Sequence, residues 1–600
     1  MAKEHTKIRN NKKQQILLNK KIKTLILTNQ SKKKKGSPCI LINHWCLYKN
    51  NFKGEKYHIV KDFWENRNKL LQIHNEAKVL HETVLRKLHK KLNQIHNTKY
   101  GLKTWRFILD PWLVAYISVV TDRFERIKSA ASDNSGSKLI CYLRRQDSNE
   151  NPAEDYLDFI NKVTSDNWNQ VLMQDIIESN FQKQIKITQV KNGNDRKLSL
   201  CKQKKHFKKY ILSAVSLIAK ISGYFQANNK YFFYKSYFSI KKFIKLNFFL
   251  NQFPFWSDGL FSLNIKYQKN ESLRLQSRLF VRTENARLKF ITNRIFQDIP
   301  QIYLENFNEI RISAEKCQIR PKIILSALGH WINDYFKIWV VAKKKLGAKY
   351  YALEHGGSFP PQFDTMEYED RICDRRIVWA EKQNSIQTQL PPNKINLTTR
   401  KFNKEQFLLI IPWEMQRYPV YLTAAPGPSA RFFSVNKVNE IMHKLPRTIF
   451  ESTRIKPYPS LNNSGYNQDK ILQRKYPNQM VKSSKLYDSF QTAKTIVSLY
   501  PNTTFSEAMS SGKPSILFFS PDQWEINKKF QSLVESLAEQ KIIHFNLKTF
   551  IKHLQEIWSS PNDWWNMEET KKVRINFHKR CCNFDSNTEA DWAKFLEKRV

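Results

Sequence analysis

Chemistry in this chain concentrates at Glu354-His355-Gly356-Gly357, within YYALEHGGSFPPQFD (350–364). This is the one Gly-Gly pair among 14 glycines in 600 residues. A His at such a turn has the right pKa range to take a proton from an attacking hydroxyl at neutral pH. Adjacent glycines let the backbone adopt φ > 0 and come close to a ligand. The same residues also suit a tight turn with a backbone-bonded His, and spacing alone leaves both readings open.

A second group lies in SLYPNTTFSEAMSSGKPSILFF (498–519). Asn502, Thr503 and Thr504 open a helix after a strand, where N–H and O–H donors suit a phosphate. Glu507 has two readings, a capping-box residue or a partner for a ribose hydroxyl. In ESTRIKPYPS (451–460), Arg454 and Lys456 flank a strand end. They either neutralise phosphate or form a solvated basic strand end.

Other chemistries lack their motifs. There is no Walker P-loop, GxGxxG, GxSxG or HExxH. His578 in HKRCC (578–582) has no second ligand pair at zinc spacing, so neither metal nor cofactor is expected. The eight cysteines form no paired framework, which points to a reducing compartment.

These residues must be positioned by strands and helices. PKIILSAL (321–328), AKYYALEHGG (348–357) and DRRIVWAEK (374–382) predict strands, with a helix over 330–347 stopped by Gly347. That is a βαβ unit, hence a parallel sheet. FLLIIPW (407–413), TIVSLYP (495–501), PSILFFS (514–520) and IIHFN (542–546) repeat the rhythm. TLILT (24–28) and CILINHWC (39–46) predict strands too, followed by amphipathic helices through 66–96 and 105–127. A capped helix is expected over 164–177. The rest of 130–295 gives little periodicity.

The expected fold is α/β, a pair of Rossmann-type doubly wound domains with a cleft at the strand carboxyl ends. The expected boundaries are a basic extension at 1–36, an N-terminal α/β domain at 37–398 with a large, mainly helical insertion at about 130–295, and a C-terminal α/β domain at 399–600 with terminal helices.

Lys+Arg 101 against Asp+Glu 53 gives a net charge of +48. A charge spread along the whole chain reads as compositional bias toward Lys. Two stretches concentrate it, the first 35 residues with SKKKK and the Lys/Phe-rich 182–245. The second fits either a solvated insertion or a patch for an anionic membrane surface or nucleic acid. No apolar stretch reaches the roughly 20 residues of a membrane span. A cytoplasmic protein, peripheral to the inner face of the membrane, is expected.

Taken together these pieces resemble the transferases of O-antigen and other surface-polysaccharide loci, with a GT-B-like glycosyltransferase fold. ILINHWCLY (40–48) is similar to that family's Leu-Gly-Glu-Trp-Cys strand end, with Asn43-His44 for Gly-Glu. WRFILDPWL…TDRF matches its Trp-Arg…Gly-Pro-Trp…Asp-Arg pattern, with Asp110 in place of glycine. EHGGSFPPQFDTMEYEDRICDRRIVWA resembles its Gln-His-Gly-Gly segment, with Glu354 for Gln.

The resemblance implies a nucleotide-sugar donor on the C-terminal domain, held by Arg454, Lys456, Asn502, Thr503, Thr504 and Glu507. It implies a polysaccharide or lipid-linked acceptor near Trp45, Glu369, Asp374 and Arg375. His355, with Glu354, would be the general base or would position the acceptor. A polyol-phosphate transferase is the alternative. A non-catalytic basic nucleic-acid-binding protein is a second alternative, disfavoured by the low Arg share and the two-domain α/β pattern, so no specific nucleic acid is expected. A degenerate, non-catalytic homologue is the remaining rival.

Overall fold

The computed structural model describes residues 22–599 except 35, 49–51, 53–55, 145–150, 191–228, 255–256, 258, 263–264, 395–406, 431, 460, 462–463, 482–484 and 584–586. Most of the basic extension, the Lys-rich 201–210 and the apolar 211–225 lie outside the described residues.

Among the described residues fifteen strands form three five-stranded sheets, and every strand pair within them that shares a register is parallel. The first sheet holds β1 (Ile22–Ile26), β2 (Cys39–Leu41), β3 (Tyr57–Ile59), β4 (Lys138–Arg144) and β5 (Ile185–Val190), in the order β3-β2-β1-β4-β5. The second holds β6 (Tyr231–Tyr234), β7 (Ile323–Ser326), β8 (Lys349–Leu353), β9 (Arg375–Val378) and β10 (Gln387–Gln389), in sequential order. The third holds β11 (Phe407–Ile411), β12 (Thr453–Ile455), β13 (Ala493–Ser498), β14 (Ser515–Phe518) and β15 (Ile543–His544), in the order β12-β11-β13-β14-β15.

The α/β class with parallel sheets is thus as expected, but the sheets number three. The segment 130–295, read above as mainly helical, supplies β4 and β5 to the first sheet and β6 to the second. Those strands lie far apart in a lysine-rich stretch, so apolar periodicity does not reveal them. Their partners are distant in sequence, as for β6 beside β7.

The middle sheet runs in sequential strand order with both faces covered. Its strands alternate, with Phe232, Tyr234, Ile324, Tyr350 and Ala352 in one core, and Tyr231, Phe233, Leu325, Tyr351 and Leu353 in another. The first face is covered by the helix Asp334–Lys345. The other takes Phe243 and Leu246 of the helix Ile240–Phe249, and Trp592, Ala593 and Leu596 of the last helix, Thr588–Glu597. The Trp592 indole N–H donates to Pro391 O at 2.9 Å.

The 31-residue helix Leu102–Ser132 runs buried through the core shared by the first two sheets. It contains Pro111, which has no N–H for the Phe107 carbonyl four residues back. The Tyr368 hydroxyl donates to that carbonyl at 3.5 Å. The segment after β11 also enters this core through Tyr418, Val420 and Leu422. The three sheets are therefore interlocked.

Candidate active site

In the third sheet the strand order reads 2-1-3-4-5, so its direction of winding reverses between β11 and β13. The crevice beyond the carboxyl ends at such a reversal is where open α/β sheets bind ligands. Trp413 follows β11 there, and Tyr500 to Thr503 follow β13. Asn502 caps the eight-residue helix Thr503–Ser510, accepting the Thr503 N–H at 2.7 Å. The Thr503 hydroxyl donates to Asn502 Oδ1 at 3.2 Å, and Thr504 shares a 2.6 Å hydroxyl contact with Tyr500.

Across from this loop stand the carboxyl ends of the middle sheet. β8 delivers Glu354 and His355, and β7 leads into His330 and Trp331. The backbone at Gly356 passes so close to Thr503 that an added Cβ would lie 2.5 Å from its Oγ1. One at Gly357 would lie 2.8 Å from Glu354 Oε1. Positive φ occurs at Gly36, Gly347 and Gly512 among the described glycines. The pair at 356–357 is therefore required by close approach, correcting the expectation of a φ > 0 turn.

The loop then locks into the third unit. Phe359 stacks on Phe505 with centroids 6.2 Å apart and packs edge-on to Phe577. Pro360 O accepts the Asn527 N–H at 2.8 Å, and Pro361 bridges Ile526. Arg67 holds both Glu525 carboxylate oxygens through one guanidinium edge, Nε and Nη2. The segment 358–361 thus joins the two faces.

His355 is 45% exposed, with Nδ1 3.9 Å from Glu369 Oε1. Its surroundings are crowded enough that desolvation lowers its pKa, only partly offset by Glu369. A neutral imidazole at neutral pH follows, as a base requires. Glu369 is buried and accepts from His330 Nε2 at 3.0 Å and the Trp331 indole at 2.7 Å. Arg376 pairs with it at 2.9 Å. Burial alone would raise its pKa, but Arg376 and His330 outweigh burial and hold it below the usual range. His330 is fixed in turn by the Tyr350 hydroxyl at 2.7 Å.

Glu354 accepts the Trp379 N–H and gives its own N–H to Ile377 O at 2.8 Å. Burial pushes its carboxyl up to about 7.

The structure separates the other expected site residues. Trp45 is fully buried, its indole N–H donating to Leu27 O at 2.8 Å, so it supports the first sheet and offers an acceptor no surface. Asp374 and Arg375 lie at the amino end of β9, against Lys344 and Ser385 O, on the edge away from the cleft. Arg454 bonds Glu451 O and Thr453 O beside Phe407, at the opposite end of the sheet from Thr503. Lys456 follows β12 at the carboxyl edge. Glu507 pairs with Lys394 Nζ at 3.3 Å and makes no capping box, since Asn502 fills the cap.

Sequence reading missed Arg376, His330, and an aromatic set in which Trp524 lies 5.2 Å from Trp413 and stacks on Tyr500 at 6.3 Å. Among the described residues no cluster of three or more His, Cys, Asp or Glu suits a metal, and no helix is long and apolar enough to cross a membrane.

Parallel α/β units that meet carboxyl edge to carboxyl edge, over a His-carboxylate pair and a capped helix start, define the class of protein. The chain belongs to the LIC12162 family of transferases, whose profile matches residues 23–596. No curated protein matches it. Similar solved structures include MurG of Acinetobacter baumannii, at 11% identity and TM-score 0.26 over 48% of this chain and 77% of that one. SsfS6, a glycosyltransferase of Streptomyces sp. SF2575, is similar at 9% identity and TM-score 0.26 over 50% and 73%. WaaG, a glycosyltransferase involved in lipopolysaccharide biosynthesis, is similar at 8% and 0.23 over 46% and 75%.

Proposed function

We propose that this transferase moves a sugar from a nucleotide-activated donor to a surface-polysaccharide acceptor, O-antigen-like and lipid-linked, at the inner face of the cell membrane. The observation that carries the reading is the contact of Gly356 with Thr503, which brings the His355 turn against the helix start at the winding reversal.

In this reading the Thr503 helix start and the Asn502 loop face donor phosphate, where the helix dipole favours an anion. Trp413 and Trp524 meet edge-on at 72°, and the face of either indole is of the kind a nucleobase stacks on. His355 takes the proton of the acceptor hydroxyl, and Glu369 stabilises the imidazolium that forms. Lys456 supplies charge near the same edge. Arg454, Trp45, Asp374 and Arg375 act structurally.

A thermal-shift panel of nucleotides, nucleotide-sugars and CDP-polyols tests it. A donor that binds only the folded state raises Tm, and Thr503→Val should remove that shift while leaving the unliganded Tm nearly unchanged. A CDP-polyol as the sole stabilising ligand would favour polyol-phosphate transfer. No shift with any member would sink the donor assignment.

A further inference from the structure

The helix Ile240–Phe249 has two apolar faces, and only one is used. Phe243 and Leu246 pack inward against the core that holds Trp592. The outward face carries Ile240, Ile244 and Phe248, spaced i, i+4, i+8 in one stripe. Phe248 is 77% exposed, Ile240 63%, and Phe253 beyond the helix end 64%. A helix on a water-facing surface turns polar residues outward. Scattered exposed apolar residues are ordinary, but a contiguous stripe marks an interaction site.

The neighbouring charges select the partner. Lys241 and Lys245 each follow a stripe residue by one position, so both lie along one flank of the stripe, and both are exposed. Lys245 also pairs with Glu589 Oε2 at 3.2 Å. Isoleucine and phenylalanine beside lysines on one helix face suit the boundary between acyl chains and anionic headgroups, where lysine stems run along the apolar layer and the ammonium reaches phosphate.

The stripe also borders the cleft. Tyr237, just before the helix and 41% exposed, lies under Lys394 Nζ at 5.9 Å, and the same ammonium reaches Glu507 on the Thr503 helix.

We propose that the Ile240–Phe249 helix is a docking helix, with Ile240, Ile244 and Phe248 inserted into the surface of an anionic phospholipid bilayer and Lys241 and Lys245 at the headgroups. Docking stands on this helix alone. Its corollary, that docking brings a lipid-carried acceptor to the cleft mouth, rests on the function proposed above.

The test floats the full-length protein with vesicles of phosphatidylcholine alone and of phosphatidylcholine with phosphatidylglycerol. With a net charge of +48, some electrostatic adhesion is expected from any surface, so insertion must be read separately. A polarity-sensitive fluorophore on Phe248→Cys should shift to the blue on phosphatidylglycerol vesicles, relative to labelled protein without that substitution. The shift should persist at about 1 M salt, where the screening length is roughly 3 Å.

The Ile240→Ser/Ile244→Ser/Phe248→Ser variant should lose at least about tenfold in vesicle partitioning, with Tm and donor-induced Tm shift unchanged. Lys241→Gln/Lys245→Gln should lose the preference for phosphatidylglycerol. The proposal fails if the triple-Ser variant floats like the parent, if the fluorophore does not respond, or if the parent is a dimer that the triple substitution dissociates. A failed flotation with the donor shift intact rejects docking and leaves the transferase reading standing. Flotation without any donor shift does the reverse.

Discussion

Gly356 and Thr503 touch across the two halves of the cleft, with no room between them for a methyl group. The clash would involve Thr503 Oγ1 at 2.5 Å and, at ordinary contact, its Cγ2 at 3.5 Å. Gly356→Ala should therefore cost about 1–3 kcal/mol by overpacking, read from urea denaturation. Gly356→Ala/Thr503→Ala removes the clashing Oγ1 and should recover most of that loss. Donor-induced stabilisation should stay absent in the double variant, because the hydroxyl is gone. Recovery of both together would mean that Thr503 only fills space.

His355 and Glu369 make the second prediction. A positioned base contributes about 10²–10⁴-fold, so His355→Ala should lower kcat by that factor and leave donor binding intact. Burial lowers the His355 pKa below its usual 6.5, so the acid limb of the kcat/KM profile should fall below that value. Glu369 raises the His355 pKa against burial. Glu369→Gln should thus move the limb further down, and an unmoved limb would uncouple the pair.

Much of this arrangement was legible in the residues, for identifiable reasons. Ser165 before Trp168 announces the capped helix Asp166–Asn180, and the Trp168 N–H indeed donates to its hydroxyl at 3.2 Å. Local signals of this kind also mark the EHGG turn and the Asn502 loop. What sequence cannot display is pairing at distance. Arg376 stands one position beyond the Asp374-Arg375 pair that the resemblance singled out, and it is Arg376 that reaches Glu369. Side chains alternate along a strand, so the neighbour on β9 points the other way, to Ser385 O. The glycine pair answers to close approach, Gly357 to nearby Glu354 and Gly356 to Thr503, which no local pattern links to it.

Asp110, where the resembling family has glycine, is fully buried beside His81 Nε2 at 3.0 Å and Arg106 Nη1 at 3.3 Å. Removing one partner of a buried pair leaves the other charge unpaired, typically at about 3–5 kcal/mol. Asp110→Ala should lose that much in chemical denaturation. Burial alone would lower the His81 pKa, but Asp110 raises it above its usual value. A raised His pKa stabilises fully below the unfolded value and is lost as pH rises through the folded one. The deficit of Asp110→Ala should therefore grow as pH falls toward the ordinary imidazole value of 6.5. A deficit independent of pH would assign the cost to Arg106 alone.

Glu354 gives the last prediction. Its carboxyl titrates at about 7 instead of the ordinary 4.5, chiefly because it is buried, with Arg376 and the Trp379 N–H only partly restoring the charged form. Below 4.5 both folded and unfolded chains hold this proton, and the group is neutral to stability. Between 4.5 and 7 the folded chain keeps a proton that the unfolded chain has released, so stability falls as pH rises through that window. Above it the full cost of the buried carboxylate remains. A protonated Glu has nearly the shape of Gln, the residue the resembling family carries here, and still accepts the Trp379 N–H. Glu354→Gln should therefore match the parent's stability at about pH 4.5 and exceed it increasingly up to about pH 7.5. The measurement is Tm against pH for both proteins. Parallel curves would show that the Glu354 carboxyl is solvated in the folded chain, and that its contact with Gly357 is looser than the 2.8 Å clash distance implies.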